Sequence, residues 1–349
     1  MFKNHNLFDF FNLSSNPNTK DTRPIQAVIF SKDRAMQLDA TLRSFYQHCI
    51  DTKLVQLNVL FNTSTAFYRR QYQRLQDEYP EVIFIQEWQF RYDLLTLINP
   101  WPPGTRHADW YKKLATIKIR YPDGIMARIL KLILIFITIH LPHIHQEMNR
   151  DILFLVDDTL FVKDFSIGTA LNALETTGKA LGFSLRLGKN TTNCYMRKVQ
   201  QDLPDFSVEQ SDVLSFNWTT AKHDFNYPFD VSSSLYRNRQ IARYLLLLPF
   251  NEPNSLEDQM TNYSRLFRKR HSHLLCFHQS VAFCNPLNLV QNVAPNNRSA
   301  VSSDFNVKAL AIRFEQGQRI DTKTLNGMQP NGCHQEVQLK FHSKNIDKF

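Results

Sequence analysis

Two copies of one pattern open the chain: a short apolar run, a polar stop and a segment of helical spacing. A third apolar run follows them, and no other feature restricts the fold as strongly. Ile25-Gln26-Ala27-Val28-Ile29-Phe30 stops at Ser31-Lys32-Asp33-Arg34, after which Leu38, Leu42, Phe45 and Tyr46 fall on one helical face. Leu54 to Phe61 stops at the helix-capping run Asn62-Thr63-Ser64-Thr65, and Phe67, Tyr72, Leu75 and Tyr79 then recur at helical spacing before Pro80. Val82 to Glu87 reads as the third strand. Strands alternating with helices of this length need right-handed crossovers, which predicts an α/β fold: a Rossmann-type, mainly parallel central sheet flanked by helices.

Further along, Pro100, Pro102 and Pro103 break any regular element between Trp88 and Asp123, and a helix is expected over Ile125 to Ile139. The uncharged run Leu132 to Ile139, bounded by Arg128, Lys131, His140 and Pro142, is far shorter than the roughly 20 residues a spanning helix needs, so a buried helix is predicted. Ile152-Leu153-Phe154-Leu155-Val156 is the clearest strand in the chain, and it ends in Asp157-Asp158-Thr159. Helices are expected over Ser166 to Leu181, Ser234 to Leu248 and from Ser255 to Arg270, with a strand at Phe183 to Gly188 and a loop-rich aromatic stretch at 190–234. The expected organisation is a flexible lead-in at 1–22, a catalytic domain at 23–290 (nucleotide half 23–165, loop-rich acceptor half 166–290) and a C-terminal extension at 291–349.

Composition removes several function classes. Glycine, at 9 of 349 residues, is well under the usual share of about 7%, and it never forms G-x-G-x-x-G or a P-loop. A nucleotide would therefore be held by side chains and a metal rather than by a glycine-rich backbone cradle. Five scattered cysteines without a C-x-x-C argue against a zinc ribbon or a disulfide framework, and the first residues lack a secretory signal, so a cytoplasmic location is expected. The formal charge of +9 is spread along the chain. Its one dense run, Arg265 to Arg270, reads as a solvated face, so nucleic acid is not an expected partner, and peripheral contact with the inner face of a membrane is left open.

Two adjacent carboxylates at the end of a buried strand repel unless a cation or hydrogen bonds intervene, and no Lys or Arg follows them before Lys163. Ligands of a parallel sheet bind at the carboxyl ends of its strands. Mg²⁺ and Mn²⁺ take carboxylate oxygens together with substrate phosphates, which makes Asp157 and Asp158 candidates for such a site; a turn or helix-cap role is the plain alternative. Glu257-Asp258 stand at the expected helix start, where the dipole alone would favour them, and either carboxylate also suits a general base. Trp218 and Tyr227 offer stacking surfaces for a sugar or, equally, packing for a core.

Taken in order, the strand–Ser-Lys-Asp-Arg–helix opening, a second strand ending in Asn-Thr-Ser, a late strand ending in paired acids and a further acidic pair at a helix start resemble the GT-A class of nucleotide-sugar glycosyltransferases, over about residues 25 to 275. The resemblance implies that Ser31, Lys32, Asp33, Arg34 and Asn62 contact the nucleotide of a nucleoside-diphosphate sugar. It implies that a D-x-D motif holds Mn²⁺ or Mg²⁺ with the diphosphate, and that Glu257 and Asp258 supply the base for a hydroxyl acceptor, with inversion. The acceptor expected is a glycan or a lipid-linked one. The chain departs from D-x-D, because Val156-Asp157-Asp158 and Asp157-Asp158-Thr159 each lack one acid. Metal ligation then falls to Asp158, and Asp157 contacts the ribose or supports the site from behind. A late histidine ligand, as some members of the class use, points to His334, and Arg128 and Lys131 are placed to balance diphosphate charge. A nucleotidyltransferase, or a catalytically silent glycan-binding or scaffolding protein of the same fold, are the competing readings.

Overall fold

The first strand shows how the layers arise. Along Ile25–Lys32 (β1), Ile25, Ala27 and Ile29 enter one buried cluster and Val28 and Phe30 another, so both faces of the strand are covered. The structure, a computed structural model, describes residues 24–98, 150–210, 212–288 and 303–343. After β1 come α1 (Ala35–His48), β2 (Val55–Asn62), α2 (Ala66–Glu78), β3 (Ile83–Gln86), α3 (Phe90–Ile98), β4 (Ile152–Val156), β5 (Thr159–Phe161), α4 (Ile167–Thr176) and β6 (Ala180–Ser184). Then follow β7 (Asn193–Cys194), β8 (Val199–Gln200), β9 (Phe206–Gln210), β10 (Val213–Asn217), β11 (Ser233–Tyr236), α5 (Asn238–Leu247) and α6 (Pro253–Asn262). β12 (His273–Phe277), β13 (Ala282–Cys284), α7 (Val307–Glu315), β14 (Gln318–Ile320) and β15 (Phe341–Ser343) complete the order.

Nine of these strands form one sheet in the order β3-β2-β1-β4-β11-β6-β12-β10-β9. Only β10 and β11 run against the others, so the mostly parallel α/β sheet expected from sequence is the one observed. Side chains of α1, α2, α4 and α7 fill the cluster on one face, and those of α3, α5 and α6 fill the other. Local signals start these helices where expected: Thr65 Oγ1 accepts from Tyr68 N, and Ser166 Oγ accepts from Thr169 N at 3.0 Å.

Several boundaries differ from the sequence reading; the helix expected from Ser255 to Arg270 spans Pro253–Asn262, and the strand expected at Phe183 to Gly188 is Ala180–Ser184. The helix expected over Ser166 to Leu181 ends at Thr176, because Ala180–Ser184 is drawn into the sheet between β11 and β12. Ser233–Tyr236 is a strand rather than the first turn of the next helix, since it pairs on both sides, with β4 and with β6. The 190–234 stretch holds the β9–β10 hairpin as well as loops. Residues 303–343 pack onto the domain itself: Leu310, Phe314, Ile320 and Leu325 join the α1 side of the core, and the buried Arg319 guanidinium lies over the Phe314 ring and donates to Glu78 Oε1 at 3.0 Å. The expected helix over Ile125 to Ile139, with Arg128 and Lys131, lies outside the described residues, as does the lead-in at 1–22. No helix among the described residues is long and apolar enough to cross a membrane.

Candidate active site at the carboxyl edge of the sheet

Register alone gathers most of the predicted site. Lys32 pairs with Asn62 across β1 and β2, and Phe30 with Val156 across β1 and β4, so Ser31 to Arg34, Asn62 and Asp157-Asp158 leave the sheet at one edge. β11 runs the opposite way with Ser233 opposite Leu155, so the residues just before it, 230–232, stand at that same edge. Ser184 opposite Ser234 then brings the end of β6, and with it Arg186, alongside.

The first cluster is centred on Arg34. Its Nη1 reaches Asp157 Oδ1 at 2.9 Å and Asp158 Oδ2 at 3.4 Å, while Nε donates to Asn288 Oδ1 at 2.9 Å. The cation that relieves the paired acids thus comes from the β1–α1 loop, more than a hundred residues away in sequence. Asp157 is 3% exposed; its Oδ2 accepts from Ser31 Oγ at 2.9 Å and from Lys32 N at 3.3 Å. Burial pushes the Asp157 carboxyl up to about 6, with Arg34 pulling it down and Asp158 pushing it up. Asp158, its side chain 17% exposed, is the member of the pair that faces outward. Asp33 adopts φ 56°, a left-handed conformation that aspartate tolerates, and its Oδ1 accepts from Ser64 N at 2.8 Å. Ser31 and Arg34 are therefore committed to the acidic turn, whereas exposed Lys32 and half-buried Asn62 lie open at the edge.

The second cluster holds Glu257. Its helix, α6, starts earlier than expected, with Glu252 as N-cap, Pro253 in the first turn and Ser255 Oγ accepting from Glu252 N at 3.1 Å. Glu257 and Asp258 consequently sit in the second turn, where the helix dipole has faded. Glu257 Oε1 accepts from Val231 N at 2.7 Å, and Tyr227 Oη donates to Oε2 at 3.2 Å. Burial pushes the Glu257 carboxyl up to about 8, helped by repulsion from Asp230 and opposed by Val231 N and Arg186. Asp258, next to it, is exposed. Arg186 Nη2 binds Asp230 Oδ1 at 2.7 Å, and Nη1 lies 3.3 Å from His334 Nε2. Burial and the neighbouring guanidinium hold the His334 imidazole down at about 3, so it is neutral at physiological pH. Trp218 is buried, its Nε1 donating to the His271 carbonyl at 2.8 Å, so of the two aromatic candidates only Tyr227 reaches this cluster.

Arg186 and Asp230 escaped the sequence reading. The signal was present for Arg186, a charge inside the apolar run Phe183 to Leu187 that needs a buried partner, but nothing local points to a partner 44 residues on. For a divalent cation, the oxygens of Asp157 are already occupied, leaving Asp158 as the outward carboxylate. Among the described residues no group of three or more His, Cys, Asp and Glu side chains is placed to hold a metal ion. The donor set fits the binding mode in which one carboxylate shares the cation with substrate phosphates and water.

No protein-family model matches the chain. It is 25% identical over 255 residues to the bifunctional glycosyltransferase pgtA of Dictyostelium discoideum; the match takes in 67% of this chain and 27% of that protein, so the chain spans about a quarter of its relative's length. Among solved structures it is similar to the WbbM bifunctional glycosyltransferase in its apo form, at 15% identity over 74% of this chain and 39% of that one, with a TM-score of 0.34. It is also similar to the mannosyltransferase PcManGT from Pyrobaculum calidifontis in complex with GDP-Man and Mn²⁺, at 12% identity over 76% of this chain and 56% of that one, with a TM-score of 0.34. The similarity is to glycosyltransferases, the enzymes that the sequence motifs resemble.

Proposed function

We propose that the chain transfers a sugar from a nucleoside-diphosphate donor to a hydroxyl of a glycan or lipid-linked acceptor, with inversion. The observation that carries this reading is the convergence, across β11, of the Asp157–Asp158 turn and Glu257 at one sheet edge. Similarity to a glycosyltransferase of Dictyostelium discoideum supports the reaction class.

Negative charge grows on the leaving diphosphate as the sugar–phosphate bond lengthens. Lys32 and Asn62 offer exposed and half-buried polar contacts for the nucleotide, while Arg34, held by Asn288 and both acids, fixes the acidic turn beside them. Asp158 would hold Mn²⁺ or Mg²⁺, which supplies charge neutralisation at the diphosphate, and His334 offers a neutral imidazole on the same edge. Glu257 receives the proton of the incoming hydroxyl; its carboxyl near 8 makes it a base that gains strength as pH rises toward that value.

The test is turnover with a panel of nucleotide sugars and Mn²⁺, following nucleoside diphosphate release with and without acceptor saccharides, in the wild type and in Asp158→Ala. Diphosphate release that depends on Asp158 supports sugar transfer. Pyrophosphate release instead would mark a nucleotidyltransferase, and neither binding nor turnover would leave a silent glycan-binding fold.

A further inference from the structure

Three consecutive residues before β11 each make one bond outward, and together they join the two halves of the site. Asp230 takes Arg186 Nη2 at 2.7 Å; Val231 N donates to Glu257 Oε1 at 2.7 Å; the Ser232 carbonyl accepts from Thr159 Oγ1 at 2.7 Å, one residue past the acidic turn. The segment is also closed on itself. Asp230 Oδ1 accepts from Ser232 N at 2.8 Å, Oδ2 accepts from Ser234 Oγ at 2.9 Å, and Asp230 N donates to Tyr236 Oη at 2.7 Å. The buried group that fixes it is Arg186, 5% exposed, whose Nη1 also meets Cys284 Sγ at 3.2 Å, the Cys333 carbonyl at 3.4 Å and His334 Nε2 at 3.3 Å. One planar guanidinium thus ties the end of β6 to the 230–232 segment, to β13 and to the His334 segment.

A buried ion pair contributes little net stability compared with apolar residues of the same volume, so stability alone gives weak reason for a charged pair here. A rigid fork with fixed donor directions does give one thing that apolar packing lacks, a defined orientation. We infer that Arg186 and Asp230 are positioning residues for the proposed transfer, clamping residues 230–232 so that Glu257 and the Asp157–Asp158 turn keep a set separation across β11. This rests on the sugar-transfer reading, and the gain is geometric: a reacting group displaced by about 1 Å costs on the order of a hundredfold in rate.

The test uses the full chain carrying Asp230→Asn, which keeps an acceptor for Ser232 N but removes the charge that faces Arg186, with Arg186→Lys as a second variant. Expected are a donor KM within about twofold of wild type and a kcat for transfer to the acceptor lowered at least about tenfold. Hydrogen exchange, measured well below the melting temperature, should show amides 230–232 of Asp230→Asn opening at least about tenfold faster, with α1 unchanged. Unaltered kcat in folded variants, a KM that rises in step with the fall in kcat, or unchanged exchange at 230–232 would each overturn the inference. A wild type that uses no nucleotide sugar would instead bring down the sugar-transfer reading, and the positioning role with it. Faster exchange with normal kcat would remove the positioning role alone.

Discussion

The two clusters at the sheet edge are built from the same parts, one buried arginine and two carboxylates, yet they hold protons differently. Arg34 stands between Asp157 and Asp158, at 2.9 and 3.4 Å, and shares its charge between them. Arg186 spends one nitrogen on Asp230 at 2.7 Å and the other on His334, Cys284 and the Cys333 carbonyl, leaving Glu257 to a backbone amide and a tyrosine. Asp230 is accordingly held below the ordinary carboxylate range; burial works against this, and Arg186 with the Ser232 amide and the Ser234 hydroxyl outweighs it. Glu257, half-buried beside that anion, is pushed up to about 8. Where the guanidinium points, rather than how many charges are present, decides which acid is left able to take a proton.

The largest expected effect comes from breaking the second cluster at its acid. Glu257→Gln keeps an acceptor for Val231 N and should fold, while transfer to acceptor falls about 10²- to 10⁴-fold at pH 8, read as nucleoside diphosphate release. Unchanged turnover would strip Glu257 of its role. The same variant checks the proton. Because the folded carboxyl, at about 8, lies above its ordinary 4.5, the native state binds a proton that the unfolded chain lacks between those values. That stabilising contribution is complete below 4.5 and is lost as pH rises through 8. Glutamine has no proton to lose, so the variant should melt higher than wild type at pH 9 and show no such advantage at pH 4. Parallel melting curves would contradict the raised carboxyl.

Next in size is the removal of the shared cation. Arg34→Gln leaves two acids facing each other and should cost about 3–5 kcal/mol in denaturant unfolding at pH 8. The cost should shrink at pH 5, where Asp157, already near 6 in the wild type, takes up a proton and the repulsion ends. An equal cost at both pH values would mean that Arg34 acts by packing rather than by charge.

These contrasts were unevenly legible in the sequence. β4 is an unbroken apolar run, and β1 and β2 are largely apolar ones interrupted only by Gln26, Gln56 and Asn58; all three are closed by polar residues, and so the acidic turn is legible at the carboxyl edge of the sheet. β11, Ser-Ser-Leu-Tyr, has no such pattern; it is a strand because β4 and β6 pair with it on either side, and the helical residues after it absorbed it in a local reading. The Arg186–Asp230 pair hangs on that strand, so missing the strand meant missing the pair. Arg34 was singled out as a nucleotide contact, and only the fold shows that its first partners are the acids themselves.

A smaller effect sharpens the comparison from behind the second cluster. Gly182 in β6 lies under the Tyr236 ring, and a Cβ there would sit 2.5 Å from a ring carbon. Tyr236 Oη accepts from Asp230 N at 2.7 Å, so moving the ring moves the 230–232 segment. Gly182→Ala should cost about 1–3 kcal/mol by overpacking and lower transfer more than donor affinity. If donor affinity fell equally, the strain would have spread to the Arg34 side, and the two clusters would not be separable.

The smallest expected effect separates the two neighbours in α6. Asp258 is exposed, so replacing it disturbs no packing, and Asp258→Asn should change unfolding free energy by under about 0.5 kcal/mol. Its remaining influence is Coulombic, since it adds to the charge that keeps Tyr227 protonated, behind the burial and the Glu257 charge that dominate there. Removing that charge through solvent should move the rising, acid-side limb of kcat/KM slightly, and toward lower pH, because one anion fewer makes Glu257 easier to ionise. A large loss of kcat with intact stability would reverse the order of the pair. It would make Asp258 the base that meets the acceptor, and Glu257 the half-buried support that orients the turn behind it.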